Sequence, residues 1–234
     1  MSISASLLVD DYEDSVDALG APVDQDERDR KEVSYGGRLE YSVTPDTGLY
    51  VSVGRRATEF EHSPINKDST GVEALVGVSF GVNAVLTGHA GIGYTQLDFD
   101  DPSLDTTSAL AVGVELVWRP DSLVTVNIAA ERALQGSDTL GVVSYVGNSA
   151  NVEVKYAFRR NIDINFSASY AFNEFSGSTD DQTTSDFGAQ VDYKMNGAAS
   201  IFFRARHSDQ NSSGFALGQG YEANSVAIGV RLRR

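Results

Sequence analysis

Cysteine is absent from the 234-residue sequence, which excludes disulfide bonds and thiolate metal sites. Basic residues are scarce: 18 Lys and Arg stand against 33 Asp and Glu, giving a formal net charge of -15. This balance argues against nucleic acid as a partner, because nucleic-acid binding usually needs a basic surface. The three His residues are scattered without the spacing of a zinc site, so neither a metal nor another cofactor is predicted.

Long apolar runs are also absent, and no segment approaches the roughly 18 residues of a transmembrane helix. The first residues lack the charged and apolar regions of a secretory signal. Two interpretations follow: a soluble cytosolic protein, or an exported protein whose signal has been removed. A mean hydropathy of -0.21 fits both, because a membrane barrel carries apolar residues at every second position of its wall.

The dominant pattern present is an alternation of apolar and polar residues. In residues 162–173, Ile, Phe, Ala and Tyr at even positions interleave with Asp, Asn, Ser and Ala at odd positions. Successive strand side chains point to opposite faces, so the segment has one apolar and one polar face. Residues 151–158 and 225–232 repeat the pattern. It predicts a single all-β domain over residues 1–234.

Twelve strands of about 10–15 residues are predicted, each long enough to cross a bilayer at a tilt. They cover residues 2–12, 32–44, 48–60, 71–81, 84–99, 108–119, 122–133, 147–158, 161–175, 184–195, 198–208 and 222–234.

The connections between these strands alternate strictly between short and long. The short ones are tight turns at 45–47, 81–83, 120–121, 159–161 and 195–197, and the long ones are 13–31, 61–70, 100–107, 134–146, 176–183 and 209–221. Outer-membrane barrels sort their connections this way, with short periplasmic turns and longer external loops. The sequence therefore predicts a closed, antiparallel, up-and-down transmembrane β-barrel in a bacterial outer membrane.

Aromatic residues on the apolar face fall at two levels. Two such bands match the aromatic girdles of outer-membrane barrels; the general preference of aromatic residues for strands explains their number but not their two levels. The band near the short turns is predicted to contain Tyr41, Phe80, Trp118, Phe158 and Tyr193, and the band near the long loops Tyr35, Tyr94, Phe172 and Phe187.

The polar face of each strand is predicted to line the lumen, because Lys or Arg at the bilayer midplane would cost about 2–4 kcal/mol on the lipid face. The expected basic lining residues are Arg38, Arg56, Arg204, Arg206 and Arg231; the acidic ones are Glu73, Glu115, Glu131, Glu153, Asp163 and Asp192. On closure the basic residues would form one arc of the wall and Glu73, Glu115, Glu131, Glu153 and Asp163 the opposite arc, which would impose an electric field across the lumen. The alternative is pairing with neighbours, as expected for Arg38 with Glu40 and Glu153 with Lys155.

Two further features concern the wall. Inward glycines are expected to leave space in the lumen or room for an inward-folded loop: Gly36, Gly54, Gly77, Gly91, Gly93, Gly113 and Gly229. Arg55 falls on the lipid face of its strand, which indicates either a side chain reaching the membrane interface or a local bulge.

No motif predicts catalysis. The Gly88–Gly93 segment lies within a strand, and His207, Ser208 and Asp209 are adjacent residues that point to opposite faces. The acidic residues Asp98, Asp100, Asp101 and Asp105 fit a solvated external loop better than a Ca²⁺ site.

Several short stretches together resemble the putative β-barrel porin type 2 family of Gram-negative outer membranes. They are Asp29-Arg30-Lys31-Glu32, Ser42-Val43-Thr44-Pro45, Leu86-Thr87-Gly88 with Gly91-Ile92-Gly93-Tyr94 and Asp98–Asp101, Val117-Trp118-Arg119-Pro120 with Leu123-Val124-Thr125-Val126, and Arg231-Leu232-Arg233. The resemblance implies a porin-like outer-membrane protein linked to exopolysaccharide export. Members of the family are longer, so the chain resembles their C-terminal portion or a shortened member.

The leading hypothesis is a channel that passes hydrophilic solutes or oligosaccharides and contacts the lipid bilayer and lipopolysaccharide. The first alternative is a structural or adhesive barrel with a plugged lumen and partner-binding loops. Further alternatives are an outer-membrane enzyme using His89 and a soluble acidic β protein. No enzymatic activity is expected.

Overall fold

The computed structural model describes residues 1–13, 15–16, 22–23, 29–60, 66–82, 85–137, 142–177, 180–213 and 220–232. Within these ranges the regular elements are fourteen strands. In chain order they are β1 (Ser2–Asp10), β2 (Ser15–Val16), β3 (Pro22–Val23), β4 (Arg30–Thr44), β5 (Thr47–Phe60), β6 (Ser69–Val82), β7 (Leu86–Phe99), β8 (Thr107–Trp118), β9 (Val124–Gly136), β10 (Ser144–Arg159), β11 (Ile162–Phe175), β12 (Asp181–Lys194), β13 (Ala199–Ser213) and β14 (Tyr221–Leu232).

Twelve of these strands form one sheet with the order β1-β4-β5-β6-β7-β8-β9-β10-β11-β12-β13-β14, while β2 and β3 form a separate small ribbon. Each sheet strand pairs antiparallel with the next one in the chain. The predicted up-and-down arrangement of twelve strands is therefore confirmed. In the described ranges, no helix has the length and apolar character needed to span a bilayer.

Cross-strand pairing keeps the apolar residues on one face. Leu39 lies opposite Val51, Val51 opposite Val76, and Val76 opposite Ile92, so four strands contribute one continuous aliphatic row. Val51, Val76 and Ile92 are each about half exposed, at 50%, 56% and 52%. Aliphatic side chains of a sheet interior would be covered by protein. This row instead faces outward, as a lipid-facing surface requires.

The long connections are shorter than the sequence predicted, because the strands extend further at that end of the sheet. β10 begins at Ser144 rather than 147, β12 at Asp181 rather than 184, and β13 ends at Ser213 rather than 208. In the extensions of β12 and β13 both faces are polar, so the hydrophobic alternation gives no signal although the backbone pairing continues. Asp181 and Ser213, for example, are paired in the ladder and share a 2.6 Å side-chain hydrogen bond.

Asx-type hydrogen bonds set the short turns. The Asp121 carboxylate accepts from the backbone N–H groups of Leu123 and Val124 at 2.7 and 2.8 Å. The side-chain amide oxygen of Asn196 accepts in the same way from the backbone N–H groups of Ala198 and Ala199. Asp and Asn favour such turns because their side chains reach backbone donors two or three residues ahead. The turn residues thereby fix the register of the strand pairs that follow.

Candidate functional site: the outward belt and the polar inner face

The outward face of the sheet is an apolar belt. On β4 it runs from Val33 to Val43 and on β5 from Leu49 to Val53, and no charged side chain lies on the outward face within these two runs. All the predicted girdle aromatics lie on this face: Tyr41, Phe80, Trp118, Phe158, Tyr193, Tyr35, Tyr94, Phe172 and Phe187. Their role at the two bilayer interfaces remains a prediction.

Arg55 lies on the outward face without any local bulge. It pairs directly with Tyr35 on β4 and with Val72 on β6, and the register is continuous on both sides. Val72 ends the apolar run of its strand toward the long connections, and Val33, one outward position beyond Tyr35, ends that of β4. Arg55 therefore stands at the edge of the belt. The continuous register excludes a bulge at Arg55. The remaining interpretation is that its side chain reaches the membrane interface.

The opposite face carries all the predicted lumen-lining charges: Arg38, Arg56, Arg204, Arg206, Arg231, Glu73, Glu115, Glu131, Glu153, Asp163 and Asp192. Many of them pair with a neighbour on this face. The pairs are Arg38–Glu40 (3.2 Å), Arg56–Glu32 (3.1 Å), Lys155–Glu153 (3.0 Å), Lys194–Asp163 (2.5 Å), Arg206–Asp186 (2.9 Å) and Arg231–Asp192 (3.7 Å).

Two sets of charges on the inner face differ from these pairs. The Arg204 guanidinium donates to the neutral Gln190 side chain at 2.7 Å. Glu73, Glu115 and Glu131 line one concavity of about 300 Å³ that extends from β6 to β10. Among the described residues, none of these three carboxylates has a basic side chain within ion-pair distance. Arg204 and the three carboxylates therefore carry the uncompensated charge of the wall.

Tyr50 is an inward aromatic residue that sequence reasoning missed. Its ring is 3% exposed and lies across two glycines of the neighbouring strands, Gly77 and Gly91. A Cβ atom at Gly77 would stand 2.5 Å from the Tyr50 ring, and one at Gly91 would collide with the hydroxyl oxygen. The Arg38 guanidinium covers the other side of the ring at 3.6 Å from its centroid, and His89 meets the ring edge-to-face at 6.0 Å. The tyrosine ring therefore fixes the position of a lumen arginine.

Phe202 is a second inward aromatic ring that packs on a glycine and against arginine side chains, at the other end of the sheet. Its ring lies over Gly229 of β14, where a Cβ atom would stand 2.6 Å away. The guanidinium groups of Arg204 and Arg231 lie 5.7 and 5.6 Å from the ring centroid. The sequence signal for both packing arrangements is an aromatic residue on the polar face of a strand, opposite glycines of other strands. Recognising this signal requires the exact strand register.

The packing of Tyr50 and Phe202 corrects the expectation that the inward glycines leave space in the lumen. Free space exists at Gly113, where nothing lies within 4 Å of an added Cβ atom, and at Gly54, where the nearest atom is 4.0 Å away. Space at Gly91 and Gly229 is taken by Tyr50 and Phe202, and at Gly77 both the Tyr50 ring and the backbone oxygen of Ala90 exclude a side chain. At Gly93 the backbone oxygen of Ala74 approaches too closely for a side chain, and at Gly36 an added Cβ atom would stand tightly, 3.1 Å from the backbone oxygen of Val53. The glycines thus serve packing of the wall more than widening of the lumen.

The remaining candidate motifs have local structural roles. Asp101 accepts a 2.8 Å hydrogen bond from the Ser103 N–H, which lowers the pKa of that loop carboxyl, and Asp98 accepts from Thr106 and Gln96. Across the described ranges, no cluster of His, Cys, Asp and Glu could hold a metal ion. His207 contacts Asn224 on the outward face, whereas Ser208 donates to Asp186 on the inner face, so the two cannot act together.

Comparisons with known proteins agree with this architecture. The family described as Putative beta-barrel porin 2 matches residues 1–234. Among curated protein sequences, none matches the chain. The iron transporter FrpB of Neisseria meningitidis superposes with a TM-score of 0.58 at 11% identity, covering 79% of this chain and 36% of that one. The chain thus spans about a third of FrpB, and this likeness shows the fold alone.

Two other solved structures cover most of both chains but superpose less closely. OmpT, an outer membrane protein of Vibrio cholerae, has a TM-score of 0.45 at 12% identity and covers 99% of this chain and 94% of that one. The KdgM porin has a TM-score of 0.31 at 10% identity, with coverage of 87% and 92%.

Proposed function

Because the chain belongs to the Putative beta-barrel porin 2 family of outer-membrane proteins, we propose that it is a channel for hydrophilic solutes without enzymatic activity. One observation carries the proposal: at the level of the apolar belt, the charged side chains of the described strands lie on the inner face. Charges inside a membrane barrel need water or partners. Local ion pairs satisfy some of them, and water in the lumen is the natural partner of Arg204 and the three carboxylates.

The uncompensated charges make one side of the channel wall basic and the other acidic. Arg204 lies on β13, whereas Glu73, Glu115 and Glu131 lie on β6, β8 and β9. Arg38 and Arg231 add donors that ring contacts hold in place. A transverse field between a basic and an acidic arc would orient polar solutes that pass between them. The arcs are narrower than the sequence suggested, because most of the predicted charges sit beside a counter-charge.

Conductance in planar bilayers tests the proposal. Reconstituted protein should open single channels whose cation preference rises in Arg204→Ala, because this change removes an uncompensated positive charge. Arg231→Ala is the matched control and should shift selectivity less, because Asp192 already offsets its charge at 3.7 Å. A sealed lumen with no conductance, in correctly folded protein, would refute the channel and favour the structural or adhesive barrel with a plugged lumen.

Sugar oligomers are the solutes that we infer the channel admits, and the exopolysaccharide link of the family is part of this proposal. The supporting feature is a concavity of about 320 Å³ over β10 to β13, in which neutral hydrogen-bonding groups lie beside the charged side chains of Glu153, Asp186, Arg204 and Arg206; the neutral groups are Asn151, Asn165, Ser167, Ser169 and Gln190. Amide and hydroxyl groups match the donors and acceptors of sugar hydroxyls. Neutral oligosaccharides added to one chamber should therefore interrupt the single-channel current, and polyethylene glycol of equal size should not.

The outer face has its own partners. The apolar belt contacts the lipid bilayer, as in outer-membrane barrels generally. We infer that lipopolysaccharide surrounds the end of the belt next to the long connections, because those connections are external in such barrels.

A further inference from the structure

The first polar outward side chain beyond the apolar belt defines a collar around the sheet, at the end next to the long connections. Four strands place a Lys, Arg or His there: Lys31 on β4, Arg55 on β5, Arg132 on β9 and His207 on β13. One strand, β11, places an acid there, Glu174. The collar is therefore rich in basic groups although the whole chain carries a formal net charge of -15. A general excess of basic residues cannot explain it.

Among the described residues, some side chains of the collar have an ion-pair or hydrogen-bond partner in the protein and others have none. Arg132 lies 3.5 Å from the Glu174 carboxylate and also donates to Asn148. His207 shares a 2.9 Å hydrogen bond with Asn224 and stacks on Phe187. Lys31 and Arg55 are exposed and, within the described residues, have neither an ion pair nor a side-chain hydrogen bond. These two cations, on the neighbouring strands β4 and β5, are available to a ligand outside the protein.

The surroundings of Arg55 identify the kind of ligand. Its direct neighbours on the outward face are Tyr35, half exposed, and the aliphatic Val72. An arginine at this boundary keeps its stem in the apolar layer and its guanidinium at the headgroup level. The anions found at that level are lipid phosphates, which a guanidinium binds with two parallel hydrogen bonds.

The spacing of the two cations favours a headgroup with more than one phosphate. Lys31 lies four residues beyond Tyr35 on β4, and Tyr35 pairs with Arg55, so the two backbone positions are about 13 Å apart along the strand. Glu59 on β5 faces Lys31 across the strand pair. Its carboxylate disfavours an anion on that side of Lys31. A ligand that reaches both cations must therefore carry two separated anionic groups on one rigid headgroup.

We propose that Lys31 and Arg55, beside Tyr35, form a binding site for the phosphorylated headgroup of lipopolysaccharide in the outer leaflet. The proposal rests on the inferred external position of the long connections. It does not depend on an open lumen, so a channel that fails to conduct would leave it intact.

Binding of purified lipopolysaccharide to the folded, detergent-solubilised protein tests the site. The measurement is the rise in the temperature at which the fast-migrating folded band is lost on a gel, as a function of lipopolysaccharide concentration. Arg55→Gln should raise the half-saturating concentration about fivefold, the size expected for loss of one partly solvated ion pair. Arg132→Gln is the matched control: it removes an outward arginine of the same collar that Glu174 already neutralises, and it should leave the half-saturating concentration within about twofold.

Two ligand controls separate the sources of phosphate. Dephosphorylated lipopolysaccharide should stabilise the wild type and Arg55→Gln equally, and phosphatidylglycerol should bind more weakly than lipopolysaccharide. Equal lipopolysaccharide binding by the wild type and Arg55→Gln would overturn the proposal, as would equal stabilisation by phosphatidylglycerol. Conductance of Arg55→Gln should match the wild type, because the side chain lies on the outward face.

Discussion

At the residue scale, the inner face is organised by contacts that the sequence shows in part. Parity within a strand is enough to place Arg38 and Arg206 on the polar face, because side chains alternate along any strand. The ring of Tyr50 beneath Arg38 could not be foreseen, because it depends on Gly77 and Gly91 lying beside it on two other strands. Such an arrangement is a property of register, and a shift of one residue would remove it.

Tyr50 offers a stability test at this scale. Tyr50→Ala would empty the space over the two glycines and release Arg38, and we expect a loss of about 3 kcal/mol in the free energy of unfolding, typical of removing a buried aromatic ring. The measurement is urea unfolding in lipid vesicles, followed by tryptophan fluorescence. Tyr50→Phe keeps the ring and should cost less than about 1 kcal/mol. A similar loss in both variants would show that ring packing is not what Tyr50 contributes.

Gly91 gives an independent check on the packing of the Tyr50 ring against the glycines. A methyl group there collides with the Tyr50 hydroxyl oxygen, so Gly91→Ala should cost about 1–3 kcal/mol through overpacking. In the double variant Tyr50→Phe/Gly91→Ala the obstructing oxygen is gone, and the nearest ring atom would be 3.1 Å from the new Cβ atom. The second change should therefore restore part of the lost stability. Strictly additive losses in this double-mutant cycle would contradict the contact.

At the element scale, each strand divides its residues between lipid and lumen. This division was predictable from alternation and from the sorting of short and long connections. The strand ends were less predictable, because β12 and β13 remain paired where both faces turn polar. Backbone pairing above the membrane needs no hydrophobic pattern, so its extent cannot be read from the sequence.

The adjacent residues Leu75 and Val76 on β6 test the division directly. Val76 faces outward in the middle of the belt, whereas Leu75 lines the inner concavity with Glu73 and Glu131. Val76→Arg should lower the free energy of unfolding in vesicles by about 2–4 kcal/mol, because the charge would enter the bilayer. Leu75→Arg places the same charge beside unpaired carboxylates and should cost much less. Equal losses at the two positions would contradict the assignment of faces.

At the scale of the whole molecule, the sequence predicts a closed barrel, and closure brings β1 and β14, the two ends of the sheet order, together. The outward side chains of these end strands are more exposed than those in the middle: Ile3 and Ile228 are each 77% exposed, against 50% for Val51. Closure would also complete the basic side of the lumen, because it sets Arg231 of β14 near Arg38 of β4 with β1 between them. Neither alternation nor connection length specifies the register of this last pair, since no turn joins the two strands.

Engineered disulfides can find that register, because the chain has no cysteine of its own. Ser4 on β1 and Ala223, Ser225 and Ala227 on β14 lie on the inner face, where substitution does not disturb the lipid contact. A disulfide needs Cα atoms about 4.4–6.8 Å apart, so Ser4→Cys combined with a cysteine at each β14 position in turn should cross-link efficiently in one register. The cross-linked protein should also keep its fast-migrating folded form to higher temperature on a gel, because the bond ties the two end strands. If no position on β14 cross-links to Ser4→Cys in folded protein, and Ser2→Cys and Ser6→Cys also fail, then β1 and β14 do not pair in the barrel.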